Sequence, residues 1–175
     1  MGISNAVAGG IMTITMIYVI MTLPGLFDRN VAVSNTLLYR SQQDDEAAKT
    51  SLGVTSLSLP NASTIGANVT NSGSTKVWEY SKFTVIVTYD ANVTGSRIRT
   101  TEMLDYGGIT ATPVAGQWSI SSFDTNDQYN DPQVVNPGEQ FSVRLKPQSA
   151  IYTNPAVVVA MSVPNGATAS KGGVL

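Results

Sequence analysis

Cysteine and histidine are both missing from the 175-residue chain. Their absence excludes disulfides, thiolate metal clusters, His-ligated zinc or iron, and the Ser-His and Cys-His pairs that activate most protein nucleophiles. Charged side chains are also scarce, at 13% of the sequence, about half the share found in ordinary soluble domains. Most classes of enzyme are thereby excluded, and we expect neither catalysis nor a cofactor.

The sequence also lacks clusters of basic residues. It has 10 basic and 12 acidic side chains, for a formal net charge of −2, and no stretch gathers several Lys or Arg. Nucleic-acid binding needs a basic patch that neutralises phosphates. We therefore expect no nucleic-acid partner.

Charge is missing altogether from the N-terminal stretch, where the first charged side chain is Asp28. The stretch is mostly apolar, and about 22 residues of helix rise roughly 33 Å, enough to cross the hydrocarbon core of a membrane. A signal peptide is disfavoured, because the stretch has neither a basic n-region nor a small-residue cleavage site. A permanent membrane anchor and the hydrophobic helix of a filament subunit remain open.

The helical pattern continues beyond this stretch. Pro24 and Gly25 should kink or locally break the helix, and amphipathic spacing then extends to about Lys49 or Gly53. A helix of about 45 residues is roughly 65–70 Å long. Such a rod needs a partner along its apolar length.

From Leu52 onward the hydrophobic period changes from 3.6 residues to 2. Turn signals separate the alternating runs, among them the segments 90–95 and 107–108. About seven or eight short strands in about 120 residues are typical of an antiparallel immunoglobulin-like sandwich. The predicted fold class is α+β, with a long N-terminal hydrophobic helix at 1–50, as a filament core or membrane anchor, and an outer antiparallel immunoglobulin-like β-sandwich at 51–175.

Small residues recur at four-residue spacing on the apolar helix, at Gly2, Ala6 and Gly10. This spacing lets the backbones of neighbouring helices approach closely. The alternative is a lone anchor with incidental glycines. The residues that we expect to pack against other helices in a polymer are Gly2, Ile3, Ala6, Val7, Gly10, Ile11, Ile14 and Ile17.

The densest group of oxygen ligands lies at 124–131. Ca²⁺ takes six to eight oxygen ligands, so a weak candidate Ca²⁺ site comprises Asp124, Asn126, Asp127 and Asp131. The loop lacks the Gly and the closing Glu of an EF-hand. A solvated acidic loop is the preferred interpretation, and we expect no metal.

Two further sets of residues have both a functional and a structural interpretation. The N-x-[ST] sequons at Asn61, Asn68 and Asn92 lie near predicted strand ends or turns and would accept N-linked glycans in an exported domain. An aromatic group would either stack on carbohydrate or, as we prefer, lie in the core; it consists of Trp78, Tyr80, Tyr89, Trp118 and Phe141.

The opening Met1-Gly-Ile-Ser-Asn5-Ala-Val, on an uncharged helix that leads into an all-β domain, resembles archaellins, the filament subunits of the archaeal flagellum, and their FlaF and FlaG relatives. The segments Ala67-Asn-Val-Thr-Asn71-Ser-Gly73 and Asn136-Pro-Gly-Glu139 are similar to the strand and turn segments of that family. Bacterial type IV pilins carry an acidic residue near the fifth position, where this chain has Asn5. The archaeal branch therefore fits better.

The resemblance implies a structural subunit of an extracellular archaellum-like, type IV pilin-like filament for motility or adhesion. Such a subunit is inserted in the membrane before assembly and polymerises into a helical homopolymer through its N-terminal helices. The resemblance also implies an assembly ATPase and a platform protein as partners. The alternative that it implies is a membrane-anchored FlaF/FlaG-like stator, or another binding module, with its sandwich outside the membrane.

Overall fold

The computed structural model describes residues 2–124 and 131–175. Contacts divide the chain into two compact units, Met1–Gln43 and Asp44–Leu175. By these contacts the end of the long helix belongs to the second unit. The division that we predicted near residue 50 stays a prediction.

The N-terminal helix, α1, spans Gly2–Lys49 and comprises 48 residues. The helix is continuous through Pro24, so the break that we considered there does not occur. One proline removes a single backbone hydrogen bond, and the turns on either side can continue. The helix ends at Lys49, where a basic side chain in the last turn interacts favourably with the helix dipole.

The end of α1 is hydrogen-bonded to a loop of the second unit. Ser74 N donates to Lys49 O at 2.8 Å, and Gly73 N donates to Ser51 O at 2.9 Å. A Cβ atom at Gly73 would lie 2.5 Å from both Lys49 O and Ser51 N, so only glycine permits this approach. The predicted turn that ends at Gly73 thus holds the last helical turn.

Eight strands follow the helix, a number that agrees with the seven or eight short strands predicted. A short 3₁₀ turn at Tyr80–Lys82 precedes the third strand. The strands are β1 Leu52–Asn61, β2 Thr64–Asn71, β3 Thr84–Val93, β4 Ser96–Ile109, β5 Gln117–Asp124, β6 Gln140–Lys146, β7 Ala156–Ser162 and β8 Thr168–Val174.

The strands are hydrogen-bonded in the order β1-β2-β6-β5-β4-β3-β7-β8. Every neighbouring pair is antiparallel except β4 and β5, which run parallel. Strand β4 has 14 residues; it pairs with β3 over 96–104 and with β5 from 105 onward. It thereby joins two four-stranded sheets, and the predicted immunoglobulin-like sandwich is confirmed.

Two predicted turns are wrong in detail. Gly107 and Gly108 lie inside β4, where a register shift and the φ of 89° at Gly108 mark a bulge; a bulge bends a strand, here at the change from one sheet to the other. The turn at 90–95 is shorter than expected, because β3 continues to Val93. The chain reverses only at Thr94 and Gly95, with φ of 50° and 83°, as a two-residue hairpin loop requires.

Alternate residues of the strands meet in one hydrophobic core. The largest fully buried side chains include Trp118, Tyr89 and Phe141, and Tyr80 is also buried. Tyr80 Oη lies 3.0 Å from Val77 O and 2.9 Å from Gln133 O and shares its one hydrogen between them, so its hydroxyl is satisfied inside the core. For these four aromatics the core interpretation is confirmed, whereas Trp78 is exposed.

We predict that the fragment 50–175 folds without the helix. The hydrophobic core that we describe lies wholly within this fragment, so circular dichroism should show strand structure with little helix. A fragment with substantial helix, or with no cooperative thermal transition, would contradict the prediction.

The two tryptophans provide a matched test of the core. Trp118→Ala should lower the free energy of unfolding of the fragment 50–175 by about 3–5 kcal/mol, because it leaves a large cavity. Trp78→Ala removes an exposed ring and should change the free energy of unfolding by about 0.5 kcal/mol or less. Urea unfolding measures both changes in free energy. Equal losses would contradict the placement of Trp118 in the core and of Trp78 at the surface.

Candidate functional site

The apolar surface of α1 is exposed. All eight of the predicted helix-packing residues lie on this helix, and each of them is exposed in the chain. Large exposed apolar side chains also include Met12, Met16, Tyr18, Ile20 and Met21. Contiguous apolar surface of this extent marks contact with a membrane or with protein partners.

The polar side chains of this surface are satisfied within the helix. Thr13 Oγ1 donates to Gly9 O at 2.8 Å, and Thr22 Oγ1 donates to Tyr18 O at 2.9 Å. A hydroxyl bonded to its own helix does not need water, which suits an apolar environment. Within the described residues, α1 is the one helix that is long and apolar enough to cross a membrane, by length and composition.

The small residues at the start of α1 leave room for a neighbouring backbone. No atom lies within 4 Å of the position that a Cβ would take at Gly2 or Gly10. Residues four apart on a helix differ by about 40° in direction, so Ala6 lies about 40° from each glycine and the two glycines lie about 80° apart. Their role in packing stays a prediction.

The candidate Ca²⁺ loop is described only at its two ends. Asp124 Oδ2 accepts from Gln140 Nε2 at 2.6 Å, and Asp131 Oδ2 accepts from Lys76 Nζ at 2.5 Å. Asn126 and Asp127 lie outside the described residues. Among the residues that are described, no group of three or more acidic side chains is placed to hold a metal ion.

A groove of about 600 Å³ lies within the second unit, beside the end of α1. Exposed Trp78 forms one wall, and Asn165 Nδ2 donates to Thr50 Oγ1 at 2.6 Å in another. The sequence did not predict this groove, because nothing in the alternating pattern distinguishes exposed Trp78 from buried Trp118. The residues that line it are Glu46, Thr50, Thr75, Lys76, Val77, Trp78, Glu79, Phe83, Val163, Pro164 and Asn165.

A buried carboxylate on β3 is held by two arginines. Asp90 accepts from Arg97 Nε at 3.0 Å, from Arg99 Nη1 at 3.1 Å and from the amide of Ala156 at 2.8 Å. The hydrogen bond from Arg97, followed by that from Ala156, lowers the pKa of Asp90 to about 2. The cluster ties β4 and β7 to β3, so its role is structural.

We predict that Asp90→Asn destabilises the fragment 50–175 at pH 7 by about 2 kcal/mol, the scale for hydrogen bonds to a charged group. Because the folded pKa lies below the usual value of about 4, the wild-type advantage is present above pH 4 and is lost as the pH falls toward 2. Urea unfolding at several pH values should show the two proteins converging over this window.

The matched control for Asp90 is Glu79→Gln. Its ion pair with Lys82, at 2.8 Å, lies between half-exposed side chains, and such pairs contribute little. If Asp90→Asn cost no more than Glu79→Gln at pH 7, the structural role of the cluster would be wrong.

The three sequons fall in different environments. Asn61 ends β1 beside the hairpin turn, and Asn92 lies at the end of β3; both are exposed. Asn68 lies in the middle of β2, with Ser56 and Ser142 paired on either side. The expectation that all three lie near strand ends or turns is therefore wrong for Asn68.

These features define a class of protein in which an immunoglobulin-like sandwich follows a helix that is apolar enough to cross a membrane. Residues 48–171 match the family model described as conserved flagellar protein F, immunoglobulin-like domain. The chain belongs to this family, and it is thus related to components of the archaellum. The predicted resemblance to FlaF-type proteins is confirmed.

Solved structures of archaellum proteins share the fold at low sequence identity. The stator protein complex of FlaF and FlaG from Sulfolobus acidocaldarius matches at 17% identity and a TM-score of 0.50, covering 71% of this chain and 89% of that one. Archaeal flagellin FlaB1 from Methanocaldococcus jannaschii matches over the same shares, at 13% identity and a TM-score of 0.50.

A third structure extends the similarity to the helix. The archaeal flagellum of Methanospirillum hungatei matches at 14% identity and a TM-score of 0.53, covering 100% of this chain and 93% of that one. No curated protein sequence matches the chain. The solved structures establish a shared fold. They do not distinguish a subunit of the filament from an accessory protein of the archaellum.

Proposed function

We propose that the chain is a membrane-anchored accessory component of the archaellum, of the FlaF type, with its sandwich outside the membrane. The observation that carries the proposal is the match of residues 48–171 to the family of flagellar protein F. The helix preceding the matched domain provides the anchor, and the sandwich provides surfaces for other envelope proteins. The protein is then located in the cell envelope.

The length of the uncharged segment supports the anchor. Residues 2–27 carry no charge, and 26 helical residues rise about 39 Å, which exceeds the roughly 30 Å hydrocarbon core. The adjacent charges, Asp28 and Arg29, are both exposed and would lie at the membrane surface. Thr13 and Thr22, inside the segment, expose no unsatisfied hydroxyl to lipid, because they bond to their own helix.

We further propose that the protein acts by binding and not by catalysis. Its buried or half-buried carboxylates hold backbone and side-chain groups: Glu102 accepts from Tyr89 Oη at 2.6 Å and from Gln148 N at 2.9 Å. Glu139 accepts from Asn136 N at 2.8 Å. The structural partners of these two carboxylates support a role in holding the fold and not in acid and base catalysis.

A second candidate function is that of a filament subunit. The observation that favours it is the open, small-residue side of α1 at Gly2, Ala6 and Gly10, which suits tight packing against copies of the same helix. Moving an apolar helix from lipid into such a bundle gains little hydrophobic free energy. A homopolymer would therefore need the assembly ATPase and platform protein that the resemblance implies.

The distribution of the wild-type protein in the cell tests the proposed function. Filaments sheared from cells are separated from membranes, and the protein is quantified in both fractions. An anchored accessory component stays with the membrane. Recovery of most of the protein in sheared filaments, in proportion to their mass, would overturn the proposal in favour of the filament subunit.

A matched pair of substitutions on α1 tests the same question. Gly10 and Ala8 are both small, exposed residues of α1, but they point about 160° apart around the helix. In an anchor both face lipid, which adapts to any apolar shape, so Gly10→Leu and Ala8→Leu should leave membrane levels and filament number unchanged.

In a filament core the outcome for this pair differs. Gly10→Leu would push neighbouring backbones apart, at about 1–3 kcal/mol for each overpacked site, and would shorten or abolish filaments more than Ala8→Leu does. Filament length and number are measured by electron microscopy. A selective loss of filaments with Gly10→Leu would refute the accessory role.

A further inference from the structure

We propose that Asn61 is an N-linked glycosylation site of the folded protein, and that the sequons at Asn68 and Asn92 are not used. The proposal rests on the proposed function in one respect, since it requires the sandwich to lie outside the membrane. The modifying substrate is a lipid-linked oligosaccharide. The structure distinguishes the three sequons by exposure and by the partner of each hydroxyl.

The sequon at Asn61 is presented at the tip of the β1–β2 hairpin. Asn61 is exposed, and Ala62 and Ser63 form the two-residue turn. Asn61 Oδ1 accepts from Ser63 N at 2.9 Å and from Ser63 Oγ at 3.0 Å, so the sequon hydroxyl already contacts the acceptor amide. Ile151 N donates to Ala62 O at 2.9 Å and fixes the turn.

The sequon at Asn92 has an exposed asparagine but a hydroxyl that points elsewhere. Thr94 Oγ1 donates to Val93 O at 2.8 Å, and Asn92 Oδ1 accepts from Gly95 N at 3.0 Å. Thr94 is held in the left-handed region, with φ of 50°, by the tight hairpin turn. The hydroxyl of Thr94 and the side-chain amide of Asn92 are therefore not hydrogen-bonded to each other.

The sequon at Asn68 is enclosed by the sheet. Strand β2 is paired on both sides, with β1 and β6. Asn68 is half-buried, and its Oδ1 accepts from Ser142 Oγ at 2.8 Å. An enzyme that must surround the acceptor peptide cannot reach this backbone without separating strands that hold the core.

The chemistry requires only groups present at Asn61 and in the lipid-linked donor. Asn61 Nδ2 attacks the anomeric carbon of the donor, an N–C bond forms, and the C–O bond to the lipid phosphate breaks. The phosphate leaves with the electron pair, and the transferase takes up the proton lost from Nδ2. Hydrogen bonds from Ser63 to Oδ1 stabilise the negative charge that this oxygen gains as Nδ2 loses its proton.

The experiment uses the full chain, expressed in an archaeal host whose surface proteins carry N-linked glycans. Intact mass spectrometry should show one glycan mass on the wild-type protein. Trypsin cleaves after Lys49, Lys76, Lys82 and Arg97, so Asn92 lies on the peptide 83–97, whereas Asn61 and Asn68 share the peptide 50–76. Single variants are therefore needed to distinguish a glycan on Asn61 from one on Asn68.

Five variants and one labelling control complete the test. Asn61→Gln and Ser63→Ala should lose the glycan mass completely; Ser63→Thr, which restores a hydroxyl, should keep it, as should Asn68→Gln and Asn92→Gln. A membrane-impermeant amine reagent applied to intact cells reports separately whether the exposed Lys82 is outside.

The outcomes distinguish this proposal from the proposed function. Labelled Lys82 with no glycan on Asn61, or with the glycan on Asn68 or Asn92, overturns the glycosylation proposal and leaves the envelope role intact. Unlabelled Lys82 on intact cells overturns the external location, and with it both proposals. Loss of the glycan in both Asn61→Gln and Ser63→Ala, with labelled Lys82, supports the assignment.

Discussion

The apolar helix has to remain out of water, and this constraint governs the rest of the molecule. Its large apolar side chains are exposed along the segment before Asp28, and they occupy nearly every side of the helix, so no side of it suits water. Lipid or other helices must cover it. The chain therefore combines a part that requires an apolar environment with a sandwich whose polar, sparsely charged surface suits water.

The sandwich holds together without covalent cross-links, because the sequence has no cysteine. Strand β4 provides continuity between the sheets by leaving β3 and joining β5, and Trp118 packs against Tyr106 with ring centroids 4.8 Å apart close to that change. Asp90 links three strands at the opposite end of β4. Packing and buried polar bonds thus perform the role that disulfides have in many small exported domains.

Sequence periodicity predicted the helix and most strands, because their environments are uniform along their length. Strand β6, for example, buries Phe141, Val143 and Leu145 in strict alternation. Strand β4 was not predicted, because its inward position 102 carries a glutamate whose partner, Tyr89 Oη, only the fold brings near. Strand β5 breaks its own alternation after Ile120, where a register shift occurs.

The candidate sites could be predicted from the sequence to different degrees, because some depend on neighbouring residues and others on residues far apart in the chain. The apolar helix and the sequons are local patterns, so the sequence identifies them completely. Their quality as sites depends on distant groups, such as Ser142 beside Asn68. The groove at Trp78 requires segments that are about 90 residues apart in the chain to meet, and a single sequence carries no signal of that kind.

The close fit between Gly73 and the end of α1 has a mechanical consequence. The carbonyl groups of Lys49 and Ser51 are both held by amides of the same loop, so the chain has no free hinge where the last helical turn enters β1. A torque on the sandwich passes directly into that turn and loads both hydrogen bonds together. Residues 44–175 therefore respond to such a force as one stiff body at this junction.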